Sequence, residues 1–196
     1  MSLVEEFEVS YKKNFDNDQL EKISSIYLEE LPQDILPNFG KNTVKKYFEL
    51  MLKNNSDIIT VEKNSDIVGF IVLNFKNIEL KKIINLKDIL KFLFNSIFNP
   101  KLLIRLIFQT FIKIKIPEYC SEIHAFAVTK KFSSKGAGKI LINEAELISK
   151  KKGCGGIFTK THNEKLFKYY EREKNINLIK KYNIFNKKYY NFYWDI

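Results

Sequence analysis

Gly136, Ala137 and Gly138 stand where an apolar run, "HAFAV", passes through the Lys/Ser loop "TKKFSSK" into an amphipathic pattern starting at Lys139. Glycines at such a junction let the backbone approach a ligand closely, and a helix N-terminus presents unpaired N–H groups with a favourable dipole. The chemistry this spacing serves is anion binding; the alternative is a glycine turn without a ligand. Two phosphate loops fail the test. A dinucleotide fingerprint needs a small residue where Leu141 stands and an acidic residue about twenty positions on, where the chain reads "IFTKTH". A triphosphate P-loop needs glycine at Ser133 and Ser or Thr at Ile140.

The elements around the loop follow from periodicity and punctuation. "EEFEVSYKK" reads as a first strand. Asp16 and Gln19 then form a capping-box pair ahead of Leu20, Ile23 and Tyr27, which recur at helical spacing and end near "ELP". "LPQDILPNFGKN" is a turn region, and a second helix carries Val44, Tyr47, Phe48 and Met51 on one face, capped by Asn42 or Thr43. "DIITVEKN" and "DIVGFIVLNFK" read as an antiparallel hairpin through "KNS". Past residue 117 come a strand at "SEIHAFAV", a helix at "GAGKILINEAELISKK" stopped by Gly153, a strand at "GGIFTKTHN", a helix at "EKLFKYYEREKN" and a closing hairpin. Residues 84 to 117 are helical, broken at Pro100 and largely apolar, and too interrupted by Arg105, Gln109 and Lys113 for a membrane span. Three readings of this insertion stand side by side: helices covering the core or a pocket, a homodimer surface, or an amphipathic surface making weak contact with anionic lipid.

"AFAV", the loop "TKKFSSKGAGK", its helix, a strand and "HNEKLFKYYE" together resemble the GNAT superfamily of N-acetyltransferases. Val128, Phe132, Gly136, Gly138, Asn163 and Tyr170 fall at its motif positions; Ser133 replaces the usual Arg or Gln, and "YEREKNIN" replaces the usual Gly-containing ending. The resemblance implies an α/β fold: a mixed, mostly antiparallel twisted sheet flanked by helices, here with a helical insertion between the third and fourth strands. The whole chain, 1–196, is expected to form one acyl-CoA N-acyltransferase domain, moving an acetyl group from acetyl-CoA directly to an amine, whether a small molecule or part of a larger acceptor. The alternative is a catalytically inactive module of the same fold that engages RNA, lipid or a protein partner.

The same resemblance implies the site. The acetyl-CoA pyrophosphate falls to the loop Ser133, Ser134, Lys135, Gly136, Ala137, Gly138 and Lys139, and the pantetheine amides to the backbone of Phe126, Ala127 and Val128. Asn163 is a candidate for the pantetheine arm and equally for the cap of the last helix, and Phe167 joins the cofactor-binding set. Tyr170 matches the general acid that protonates the departing thiolate, with Tyr169 pointing about a hundred degrees away on the helix. Glu122 and His124, two apart on one strand, project to one face as candidate bases, directly or through water; "HAFAV" resembles the "HxLAV"-like strand of aralkylamine N-acetyltransferases. Acceptor-pocket walls are expected from Phe39, Tyr189, Tyr190 and Trp194, although each is equally credible as core.

Composition narrows the partners. The 196 residues carry a net charge of +10, but the cations are mostly scattered lysines, so charge implies attraction to anionic ligands rather than specific nucleic-acid recognition. Cys120 and Cys154 lack metal-ligand or framework spacing and read as reduced thiols; no metal site is visible. Without a basic segment leading into an apolar one at the N-terminus, the expected location is the cytoplasm.

Overall fold

A computed structural model describes residues 7–12, 14–54, 56–75 and 114–196, together with 104, 107, 108, 111 and 112. The readings of the insertion therefore fall almost wholly outside the described residues. Seven strands form one sheet: β1 (Glu8–Lys12), β2 (Asp57–Lys63), β3 (Asp66–Asn74), β4 (Cys120–Val128), β5 (Gly156–Thr161), β6 (Ile176–Ile184) and β7 (Lys187–Asp195), in the order β1-β2-β3-β4-β5-β7-β6. Every pairing is antiparallel except β4 with β5. Among the described residues four α-helices flank the sheet: α1 (Asn17–Glu30), α2 (Lys41–Lys53), α3 (Ala137–Lys151) and α4 (Glu164–Glu173). This is the mixed, mostly antiparallel architecture that the resemblance implies.

Local chemistry accounts for the element ends. At α1 the Asp16 carboxylate accepts from the Gln19 N–H at 2.8 Å while the Gln19 side chain accepts from the Asp16 N–H, a reciprocal cap worth about 1 kcal/mol. Helix α2 departs from expectation. It begins two or three residues earlier, at Lys41 after Gly40, with no side-chain cap, and the Thr43 hydroxyl turns back to donate to the Phe39 carbonyl at 3.1 Å. A four-residue 3₁₀ turn, Leu36–Phe39, precedes it. The β2–β3 turn holds Asn64 and Ser65 at φ of 52° and 62°, the positive values a tight two-residue hairpin demands.

The sheet separates two apolar layers. On one face α1 and α2 bury Ile23, Tyr27, Val44, Tyr47, Phe48 and Met51 against Ile58, Phe70, Val72, Ala125 and Ala127. On the other, α3 and α4 bury Leu141, Ala145, Phe167 and Tyr170 against Ile59, Ile71, Ile123, Phe192 and Trp194. Alternation along β2 and β3 serves both layers, so these strands are buried nearly throughout. Among the described residues no helix is long and apolar enough to cross a membrane.

Candidate active site

The site begins where two parallel strands part. β4 and β5 pair only from Cys120↔Gly156 to Ile123↔Thr159, whereas β5 continues along β7 to Thr161↔Tyr190. From His124 to Val128 the β5-facing edge of β4 therefore has no strand partner. The register against β3 shifts at the same place, because Leu73 pairs with Ile123 but Val72 with Ala125, leaving His124 as the extra residue of a bulge. Bulges bend a strand and re-aim a side chain. Here the bend opens a wedge between β4 and β5.

Strand parity assigns the backbone groups facing that wedge. The Thr129 N–H donates to the Val68 carbonyl at 2.9 Å, so Ala127, two residues back, also bonds toward β3. Phe126 and Val128 then aim their N–H and C=O groups the other way, into the wedge. Ala127 is thus removed from the expected set of backbone partners, while its neighbours stay in it.

A cleft of about 980 Å³ occupies the wedge and continues beneath the end of α1. Its walls include His124, Phe126, Val128, Ser133, Gly138, Lys139, Asn163, Tyr169 and Tyr170. Residues not anticipated from the sequence also line it: Glu29, Glu30, Ile142 and Thr159 to Thr161. They are distant in the chain and carry no motif; only the parting of β4 and β5 brings them together.

At one end lies the start of α3. Gly136 takes φ of +94° at the N-cap, a left-handed conformation that glycine adopts without strain. No side chain caps this helix, so the N–H groups of Gly136, Ala137, Gly138 and Lys139 leave its end without intrahelical partners. Gly138 has a different reason to be glycine: a Cβ there would stand 3.2 Å from Phe126 Cζ. The Lys135 N–H, by contrast, donates to the Phe132 carbonyl at 3.1 Å and is spent inside the loop, although its ammonium lies 5.3 Å from the Phe132 ring centroid. The Ser133 hydroxyl donates to the Lys130 carbonyl at 3.0 Å, stiffening the same turn. Ser134 is exposed and does not line the cleft.

Along the opposite wall, α4 presents Asn163 and two tyrosines. The Asn163 side-chain oxygen accepts from the N–H groups of Lys165 and Leu166 at 3.0 and 3.2 Å, so it caps α4. Tyr169 and Tyr170 both line the cleft; Tyr169 is half-buried and Tyr170 is 1% exposed. Burial above all, then the charges of Tyr169 and Glu146, raises the Tyr170 pKa well beyond the ordinary phenol value. Tyr169 shifts the same way through burial and the nearby Glu173 and Glu146. Phe167 is a correction. Its ring stacks on Tyr190 at 4.0 Å and 12° within the core and takes no part in the cleft. Tyr189, Tyr190 and Trp194 are likewise core residues, 1 to 3% exposed, and with Phe39 they do not line the cleft.

Glu122 and His124 come together on the α1/α2 side of β4. Glu122 Oε2 lies 3.8 Å from His124 Nε2, and the opposite ring nitrogen, Nδ1, lies 3.0 Å from the Tyr47 hydroxyl. Nearby, the Glu30 carboxylate accepts from the Lys130 N–H at 3.0 Å and ties the end of α1 to the loop after β4. No group of His, Cys, Asp and Glu among the described residues is arranged to hold a metal ion.

Comparison with known proteins places this geometry. The model of the acetyltransferase (GNAT) family matches residues 20–174. No curated protein sequence matches the chain. Its fold is similar to that of a Pyrococcus horikoshii OT3 protein (17% identity, TM-score 0.63, covering 97% of this chain and 99% of that one). It is also similar to the ribosomal-protein-S18-alanine N-acetyltransferase of Escherichia coli (10% identity, TM-score 0.61, 97% and 94% covered). A third similar fold is a Bacillus subtilis acetyltransferase solved with CoA (16% identity, TM-score 0.56, 97% and 99% covered). With the family model spanning the loop, the parted strands and α4, the chain belongs to the GNAT acetyltransferase family.

Proposed function

We propose that the chain transfers an acetyl group from acetyl-CoA directly to the nitrogen of an amine acceptor, with residues 1–196 acting as one acyltransferase domain. The observation that carries this reading is the wedge between β4 and β5. It has unpartnered N–H groups at one end, strand backbone along one wall and a protonated phenol along the other. Acetyl-CoA supplies an activated thioester and an anionic pyrophosphate. The N–H groups of Gly136, Ala137, Gly138 and Lys139 suit that anion, since charge-assisted hydrogen bonds add to a helix-end contribution of about 0.3 to 1 kcal/mol. Phe126 and Val128 offer their backbone to an extended chain of amides, as a strand offers itself to a neighbour.

The chemistry falls to three side chains. The amine must lose a proton to become nucleophilic, a role assigned to the Glu122–His124 pair, of which His124 lines the cleft. As the amine nitrogen bonds to the acyl carbon, the carbon–sulfur bond breaks and the sulfur needs a proton, which the Tyr170 hydroxyl donates. A raised pKa suits this role because Tyr170 then holds its proton until a base as strong as a thiolate forms beside it.

The test is a thermal unfolding scan with acetyl-CoA, with ATP and NAD as phosphate-bearing controls. At a hundred times its dissociation constant a ligand stabilises by about 2.7 kcal/mol, a rise of about 5 to 11 °C for a chain of this size. A rise with acetyl-CoA alone supports the reading and opens a screen of amines for turnover. No rise, or an equal rise with all three, overturns it.

A further inference from the structure

The Tyr47–His124–Glu122 cluster contains more information than the identity of a base. Tyr47 projects from α2 into the layer between helices and sheet, 4% exposed, and its hydroxyl has one hydrogen-bond partner among the described residues, His124 Nδ1 at 3.0 Å. Burial first, then the negative charges of Glu122 and Asp34, raises its pKa well above the usual tyrosine value, so the hydroxyl keeps its proton. That proton needs an acceptor. If Nδ1 carried a hydrogen and donated to the phenol oxygen, the buried O–H would be stranded.

The other edge of the ring argues the same way. Nε2 stands 3.8 Å from Glu122 Oε2. An N–H there presents positive charge to the carboxylate, whereas a lone pair would face it with like charge. Two independent neighbours therefore select one tautomer.

We propose that Tyr47 is a positioning residue: its hydroxyl donates to Nδ1 of His124 and holds the imidazole as the Nε2–H tautomer, leaving the Glu122 carboxylate as the proton acceptor of the pair. His124 then has no free lone pair to offer the amine, because Nδ1 is engaged by Tyr47 and Nε2 carries hydrogen. Its part is to hold an N–H edge toward the Glu122 carboxylate, 3.8 Å away. The kinetic consequence rests on the acyl-transfer reading; the tautomer does not.

The experiment reads the two separately. Nitrogen NMR of the histidine rings, with the signals of His124 assigned by comparison with His162→Gln, should show His124 Nδ1 as the unprotonated nitrogen and Nε2 as the protonated one. Tyr47→Phe keeps the ring and removes the donor, so the pattern should shift toward a mixture of tautomers. In acetyl-transfer kinetics the same variant should lower kcat roughly tenfold, a fraction of what general acid–base catalysis contributes, with KM for acetyl-CoA unchanged. A protonated Nδ1 in the unsubstituted protein overturns the proposal without need of any variant. So does an unaltered tautomer in Tyr47→Phe, or a shifted tautomer with unaltered kcat. A correct tautomer in a protein that binds no acetyl-CoA would instead overturn the acyl-transfer reading and leave the hydrogen-bond assignment standing.

Discussion

In the proposed mechanism Tyr170 carries the most chemistry of any single side chain. It is 1% exposed, packed 5.0 Å from Trp194 and 5.3 Å from Phe192 by ring centroids, yet it forms part of the cleft wall. Tyr170→Phe removes only the hydroxyl, so the stacking that positions it survives. The expected outcome is acetyl-CoA affinity within a few-fold of the parent and a kcat lower by roughly a hundredfold or more. Calorimetric binding and steady-state kinetics on the same preparation check both; equal activity would remove Tyr170 from the mechanism. The family resemblance singles out Tyr170 through its spacing from Asn163, and the structure puts it in the cleft wall. Phe167 was misread because it shares a helical stripe with Tyr170, and that stripe is the one facing the core. Tyr47 was invisible as a functional residue, since the hydrogen bond that gives it meaning spans 77 positions.

Elements turn these residues into a site, and the β4–loop–α3 unit does so through two glycines with different duties. Gly136 is needed for its φ of +94°, so Gly136→Ala meets backbone strain of about 1 to 2 kcal/mol. Gly138 is needed for space, since a side chain there presses on Phe126 at the mouth of the N–H cradle. Gly138→Val should therefore weaken acetyl-CoA binding by roughly tenfold or more, the worth of one lost charge-assisted hydrogen bond. Gly136→Ala should first lower the unfolding midpoint. Titration calorimetry beside a urea series distinguishes the two; affinity unchanged in Gly138→Val would mean the cradle is not where the anion sits. The glycine pair and the strand before it were readable from sequence. The bulge at His124 was not, because "SEIHAFAV", mostly polar in its first half and apolar at every position after His124, is compatible with a regular strand.

Across the whole molecule, burial of phenols links the site to stability. Tyr47 and Tyr170 both have pKa values raised mainly by burial. Unfolded, each ionises at about pH 10; folded, each holds its proton to higher pH. Above that value the unfolded state binds fewer protons than the native state, so stability is full below about pH 10 and falls as pH rises toward the native pKa values. The urea midpoint should drop between about pH 8 and about pH 11, and Tyr170→Phe should make the drop shallower. An identical slope in the variant would show that other groups govern alkaline unfolding.

The amino-acid sequence by itself determined the order of strands and helices outside the insertion, the capping box at Asp16, the glycine loop and the Asn163–Tyr170 spacing. All of these are set by contacts within a few positions of one another, where propensity, turn chemistry and periodicity act directly. Only the tertiary structure decided the parting of β4 from β5 and which β4 backbone groups face the wedge. It alone decided the capture of Lys130 by Glu30 and the alignment of Tyr47, His124 and Glu122. These depend on register and bulge across strands that meet from far apart in the chain, and a one-residue shift in register reverses every face. The cleft is thus a property of the pairing, although several of the residues that line it were readable as a motif.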